Sequence, residues 1–121
     1  MSLLDVRKLE VSYGGIRAVR GVDLVVDEGE LVCLIGANGA GKSSTLRAIS
    51  GLKQTAPGMV TYAGRDLAGV PSFERARSGL VLVPEGRGIF PQLTVDENLR
   101  MGGYAQPQGQ IAGDIDRVFD L

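Results

Sequence analysis

The sequence predicts an α/β fold in which an N-terminal antiparallel β layer precedes a unit made of a buried strand, a glycine-rich loop and a helix. Three observations carry this. Val22, Leu24 and Val26 alternate with Asp23 and Asp27, the period-two pattern of a strand with one face covered. Leu31-Val32-Cys33-Leu34-Ile35 is a short unbroken apolar run, which suits a strand covered on both faces. Directly after it, Gly36-Ala37-Asn38-Gly39-Ala40-Gly41-Lys42-Ser43 fits the pattern G-x-x-x-x-G-K-[ST] at every fixed position, and a helical segment follows.

Taken in order, Leu3 to Tyr13 and Ala18 to Val26 read as the first two strands, and Asp27-Glu28-Gly29-Glu30 turns the chain into the apolar run. The helix after the glycine loop runs from Ser43 to Leu52, with Leu46, Ile49 and Leu52 on one face and Gly51 as its stop. Pro57-Gly58 opens a turn, and Met59 to Tyr62 with Ala63-Gly64-Arg65 forms a hairpin. Pro71 to Arg77 is a short helix ended by Gly79, and Leu80 to Val83 is a second fully apolar strand ended by Pro84. Thr94-Val95-Asp96-Glu97 has the spacing of a capping box and starts a helix to about Met101, closed by Gly102-Gly103. Gln106 to Gly113 reads as a polar loop, and Asp114 begins a last helix with Ile115, Val118 and Phe119 at apolar spacing. No internal repeat is visible.

Composition narrows the function classes. The chain has 121 residues, one domain's length, and a net charge of −1 from 13 basic and 14 acidic side chains. No basic surface of nucleic-acid scale is implied. No apolar stretch is long enough to cross a bilayer, so work at a membrane requires docking onto another protein. The lone Cys33 has no internal disulfide partner, and its place in the apolar run predicts a small core residue in a reducing cytosol. Eighteen glycines, about twice the usual share, agree with many tight turns.

The glycine loop names a ligand, a nucleoside triphosphate with magnesium. Binding a triphosphate needs several backbone N–H groups converging on anionic oxygens, and side chains must not stand in the way. Gly36, Gly39 and Gly41 permit the tight turn and the close approach. The N–H groups of Gly39 to Ser44 then face the phosphates at a helix N-terminus, where the helix dipole favours negative charge. Lys42 brings a cation to the β- and γ-phosphates, the Ser43 hydroxyl completes the magnesium shell, and Ser44 bonds the α-phosphate. The glycines read G-x-x-G-x-G with a lysine following, not the G-x-G-x-x-G of dinucleotide folds. A chance match in a chain of this length is roughly a few per thousand.

The order of features resembles the ATP-binding subunits of ABC transporters. Leu9-Glu10-Val11-Ser12-Tyr13-Gly14-Gly15 is similar to their first strand and aromatic loop, and Gly21 to Leu24 with Glu28-Gly29-Glu30 to the approach to the phosphate loop. Gly39-Ala40-Gly41-Lys42-Ser43-Ser44-Thr45-Leu46 with Ile49-Ser50-Gly51-Leu52 is close to the family form. Val83-Pro84-Glu85-Gly86-Arg87, then Ile89 to Val95 and Glu97-Asn98-Leu99, resembles one of the two ATPase subunits of branched-chain amino-acid importers. The resemblance implies a P-loop NTPase fold of the ABC ATPase type behind the β layer. It divides the chain into residues 1–93, the N-terminal part of the ATPase core, and 94–121, the start of a helical subdomain.

The resemblance also implies roles. Tyr13 matches the aromatic residue that stacks on adenine; read alone, it is equally a strand-end tyrosine covering the core edge. Glu85 stands where most of the family has glutamine, near magnesium, the attacking water and the membrane-domain contact, so metal ligation and coupling are both open beside a plain solvated glutamate. The loop Gly86 to Leu93 matches the region that accepts a helix from the membrane-spanning subunits, with Arg87 and Phe90 as candidate contacts; Phe90 reads equally as a small-core plug. The implied site is Tyr13 and Gly36 to Ser44 for ATP, Ser43 and Glu85 for Mg2+, and Lys42 and Glu85 for catalysis. The implied partners are permease subunits and a second ATPase subunit, the same or different, at the cytoplasmic face of the membrane.

Members of that family continue with a helical layer, a Leu-Ser-Gly-Gly segment, an aspartate-bearing strand with the catalytic glutamate, and a histidine. None is present, and the chain holds no histidine. The expectation is therefore a part of a longer parent, with Leu121 read as falling in mid-helix. The parent hydrolyses ATP, while the 121 residues alone do not turn it over. By family topology the strands at 31–35 and 80–83 are not neighbours, so each is expected to lose pairing partners and cover, and the isolated chain to oligomerise or pair strands unnaturally. A soluble ABC ATPase of translation or DNA repair is the alternative class, disfavoured by the Pro84 to Leu99 segment and the charge balance.

Overall fold

The computed structural model describes residues 2–36, 41–84, 88–104 and 106–121. Two compact units, Met1–Leu82 and Val83–Leu121, divide the chain.

The first unit is built on two long strands, β1 (Ser2–Tyr13) and β2 (Ile16–Asp27), paired antiparallel through a tight turn. β3 (Val60–Tyr62) and β4 (Arg65–Asp66) extend the sheet in the order β2-β1-β3-β4. The β3–β4 turn has Ala63 at φ 49° and Gly64 at φ 81°. Two successive left-handed residues match the right-handed twist of a hairpin.

One face of β1 makes the core. Leu4, Val6, Leu9 and Val11 are all buried. Val6 and Leu9 are three apart, an interval that puts residues of a regular strand on opposite faces. A register shift between them restores the common face, with Lys8 at φ 46° taking up the extra residue. The displaced Lys8 N–H is caught by Asp23 Oδ1 at 2.7 Å. On β2, Val22, Leu24 and Val26 are half-buried against this core, in the predicted alternation.

Helix α1 (Lys42–Ser50) buries Thr45, Ala48 and Ile49. Its predicted face was one step off: Ile49 is covered, but Leu46 and Leu52 are exposed. Gly51 ends the helix as expected, at φ 91°. Helix α2 (Ser72–Arg77) begins after Pro71, and its neighbour Gly79 sits at φ 106°.

The two fully apolar runs depart from expectation. Residues 31–36 and 80–84 carry no strand, and neither joins the four-stranded sheet. Leu31 is 89% and Ile35 96% exposed, Val81 and Val83 are exposed, and Cys33 is exposed rather than buried. Only Leu80 packs partly on the core. A parallel-type strand has no hairpin to bring it a partner, so without neighbouring strands it gains neither ladder nor cover.

In the second unit, α3 (Val95–Gly102) starts with the complete capping box. Thr94 Oγ1 accepts from Glu97 N–H at 3.1 Å, and Glu97 Oε1 accepts from Thr94 N–H at 2.9 Å. Helix α4 (Gln108–Phe119) starts six positions before the predicted Asp114, directly after Pro107. Ile111, Ile115 and Val118 then fall on one face and line a groove with Leu99.

Candidate nucleotide-binding site

Gly41, Lys42, Ser43 and Ser44 lie where the motif requires them, at the start of α1. Gly41 is the N-cap residue at φ 94° and offers no side chain to the helix end; the first turn of α1 has no acidic residue. Its early N–H groups therefore keep their capacity for an external anion. A Cβ on Gly41 would lie 2.6 Å from the Ala18 carbonyl oxygen and 3.3 Å from Val19 Cγ2. Conformation and space thus both demand glycine, and the loop's end is seated against β2.

Thr45 fixes the next turn. Its N–H and its Oγ1 both donate to Gly41 O, at 2.9 and 2.8 Å. Being buried, the hydroxyl needs that partner. Lys42 Nζ donates to Gly36 O at 2.5 Å, which joins the residues on either side of the loop. Ser43 is exposed and Ser44 is half-buried. Ala37, Asn38, Gly39 and Ala40, and likewise Glu85, Gly86 and Arg87, lie outside the described residues.

Tyr13 closes β1 with 40% of its surface exposed. The aromatic contact it makes is with Lys53, whose Nζ stands 4.7 Å from the ring centroid. A ring face is therefore already used for cation–π attraction, a contact that sequence reading missed. Phe90 is 49% exposed, not plugged into a core.

Arg75 is the second missed residue. It is 2% exposed, and four carbonyls converge on its guanidinium. Nε donates to Val70 O at 2.9 Å, Nη1 to Ala48 O and Ile49 O at 3.0 and 2.9 Å, and Nη2 to Leu67 O at 2.7 Å. Ala48 and Ile49 are in the last turn of α1, where unpaired carbonyls and the dipole both favour a cation. Burial lowers the Arg75 pKa, yet arginine stays charged at neutral pH. A Cβ on Gly51 would fall 2.9 Å from Arg75 Nε, so the glycine that stops α1 also makes room for this clasp. Nothing in local spacing marks an arginine for such a role.

The helix start without a side-chain cap at Gly41 and the close seat of that glycine agree with a phosphate-binding loop. Residues 19–120 match the family described as ABC transporter. The chain belongs to the ABC transporter family. The branched-chain amino acid transport ATP-binding protein BraG of Pseudomonas aeruginosa is 43% identical over 98% of this chain and 51% of its own length. The putrescine transport ATP-binding protein PotG of Escherichia coli is 34% identical over 98% of this chain and 31% of its own length. A solved ATP-binding subunit of an ABC transporter superposes with a TM-score of 0.72 at 32% identity, covering 90% of this chain and 45% of that one. The fold is thus part of an ABC ATPase domain, and the chain spans about half the length of BraG. Both family and fold agree with the reading of the sequence.

Proposed function

We propose that the full-length protein is the ATP-binding subunit of an ABC importer of branched-chain amino acids. The observation that carries this is the 43% identity with BraG over nearly the whole chain, against 34% with PotG over the same share. The segment Pro84 to Leu99 supports the same branch. We assign residues 1–93 to the ATPase core and 94–121 to the start of its helical subdomain. Docking on permease subunits at the cytoplasmic face fits a chain whose described helices are all too short or too polar to cross a membrane.

The residues present fit a magnesium-bound triphosphate. The first-turn N–H groups of α1, which Gly41 leaves without a side-chain cap, would receive phosphate oxygens. Lys42, now on Gly36 O, exchanges that carbonyl for phosphate and neutralises charge there. Ser43 offers the hydroxyl to the metal, Glu85 a carboxylate, and Tyr13 a ring face to adenine. Magnesium, when bound, draws negative charge from the phosphate oxygens. Closure of two ATPase subunits around two nucleotides, and reopening on hydrolysis, would reach the permease through residues 85–93.

The test is magnesium-dependent ATPase activity of the full-length protein with its membrane subunits, alongside uptake of leucine and of putrescine. Lys42→Ala is expected to cut turnover by about a hundredfold or more, as loss of a transition-state charge contact does. Unchanged turnover, or putrescine uptake without leucine uptake, defeats the reading. A second reading concerns the 121 residues alone: they bind nucleotide without turnover. The exposed Leu31 and Ile35 favour it, because the run leading into the phosphate loop is left unsupported. ATP affinity and hydrolysis measured on the 121 residues test it: turnover by them, or no ATP binding, defeats this second reading.

A further inference from the structure

The amide of Asn98, in the first turn of α3, is fully engaged with the chain that precedes the helix. Its Oδ1 accepts from Phe90 N–H at 2.9 Å. Its Nδ2 lies 3.1, 3.3 and 2.8 Å from the carbonyl oxygens of Phe90, Leu93 and Thr94, so its two N–H groups are shared among three acceptors. Both polar groups of Phe90 are thus paired by one side chain, in the manner of a neighbouring strand. A turn bond from Leu93 N–H to Phe90 O, 3.1 Å, closes the loop around it. The helix start itself does not need Asn98, because Thr94 and Glu97 already cap it reciprocally. What the amide adds is a fixed backbone at Phe90. There, Ile89 and Phe90 stay 57% and 49% exposed, two adjacent apolar side chains on a tethered loop.

We propose that Asn98 is a positioning residue for permease docking: it holds the Phe90 backbone so that Ile89 and Phe90 meet an apolar helix face of the membrane-spanning subunit. This rests on the reading above that the loop up to Leu93 receives that helix. Holding an interface loop in its bound form raises affinity by removing the entropy cost of ordering it on contact. A loop lacking the tether docks more weakly although its contacting side chains are unchanged.

The experiment uses the full-length protein and its membrane-spanning subunits, with association measured directly and amide exchange followed at Phe90. Asn98→Ala is expected to speed exchange of the Phe90 amide and to weaken association about tenfold, the scale of a lost pre-organised loop. Asn98→Asp keeps an acceptor for Phe90 N–H but sets an acceptor-only anionic oxygen against the three carbonyls; it should weaken association at least as much as the alanine variant, and it carries the test if that variant fails to fold. Thr94→Ala removes the capping box yet leaves the Asn98–Phe90 bonds, and should keep association within about twofold, since cap loss acts on helix stability. A merely structural role for Asn98 predicts that Thr94→Ala and Asn98→Ala weaken association alike, and that result overturns the proposal. Phe90→Ala separates the layers. If it weakens association while Asn98→Ala does not, the proposal falls and the docking reading stands. If Phe90→Ala has no effect, both fall.

Discussion

The β1–β2 hairpin and the apolar runs at 31–35 and 80–83 draw on the same residue types and end in opposite environments. Val6, Val11 and Val19 are almost fully buried, whereas Leu31 and Ile35 stand in solvent. Hydrophobicity is not the difference, since the runs are the more continuously apolar. The difference lies in how a partner is found. A hairpin carries its partner two residues away, so pairing costs little loop entropy and each strand covers the other's edge. A strand destined for a parallel layer depends on strands brought back by long crossovers. Its sequence states an environment that it cannot itself supply.

The largest effect should come from the paired region. Leu9 is fully buried on β1, and Leu9→Ala should destabilise the chain by about 3 kcal/mol, through lost transfer energy and the cavity left behind. Urea denaturation followed by circular dichroism measures it. A loss under about 1 kcal/mol would mean that the hairpin core is no better packed than the exposed runs, and the comparison would break.

That contrast explains what could be read in advance. The hairpin, the Ala63-Gly64 turn, the Gly51 stop and the Thr94–Glu97 box are local, each set by residues within a few positions, and all appeared where expected. The start of α4 was hidden because Gly109, Gly113 and polar neighbours depress helix propensity, while packing of Ile111 and Ile115 beside Leu99 overrides it. Leu46 was misplaced because the sheet it should face decides the buried stripe, and Thr45 satisfies its hydroxyl on Gly41 O to join that stripe. For the candidate site, Gly36 and Gly41 to Ser44 were named from motif spacing, and Gly41 does stand at the start of α1. Arg75 on Ala48 O and Ile49 O and Lys53 on Tyr13 were not legible, for these contacts join distant segments and leave no pattern in the chain.

A middle-sized effect sharpens the account of the hairpin. Lys8 interrupts β1 in a left-handed conformation that lysine pays for, and its N–H survives by bonding to Asp23. Asp23→Ala should cost about 1.5 kcal/mol, the range of a backbone bond to a charged acceptor. Asp23→Asn retains an acceptor and should recover about half of it. Equal losses in both variants would show that charge, not the caught N–H, is what Asp23 contributes.

The smallest effect belongs to the unpaired run, and its smallness is the informative part. Ile35 is 96% exposed in this chain, so Ile35→Ala should change stability by less than about 0.5 kcal/mol, the ordinary range for surface sites. The neighbouring thiol gives an independent reading: Cys33 is exposed, and a thiol reagent should label it without denaturant. In the full-length protein the same run is expected to lie in a sheet covered on both faces. There, Ile35→Ala should cost about 3 kcal/mol, as core truncations do, and Cys33 should resist labelling until the protein unfolds. A large Ile35 effect in the 121 residues, together with a protected Cys33, would show that the run finds cover unaided. An Ile35 effect that stays small in the full-length protein would show instead that continuous apolarity ahead of the phosphate loop serves something other than a buried strand.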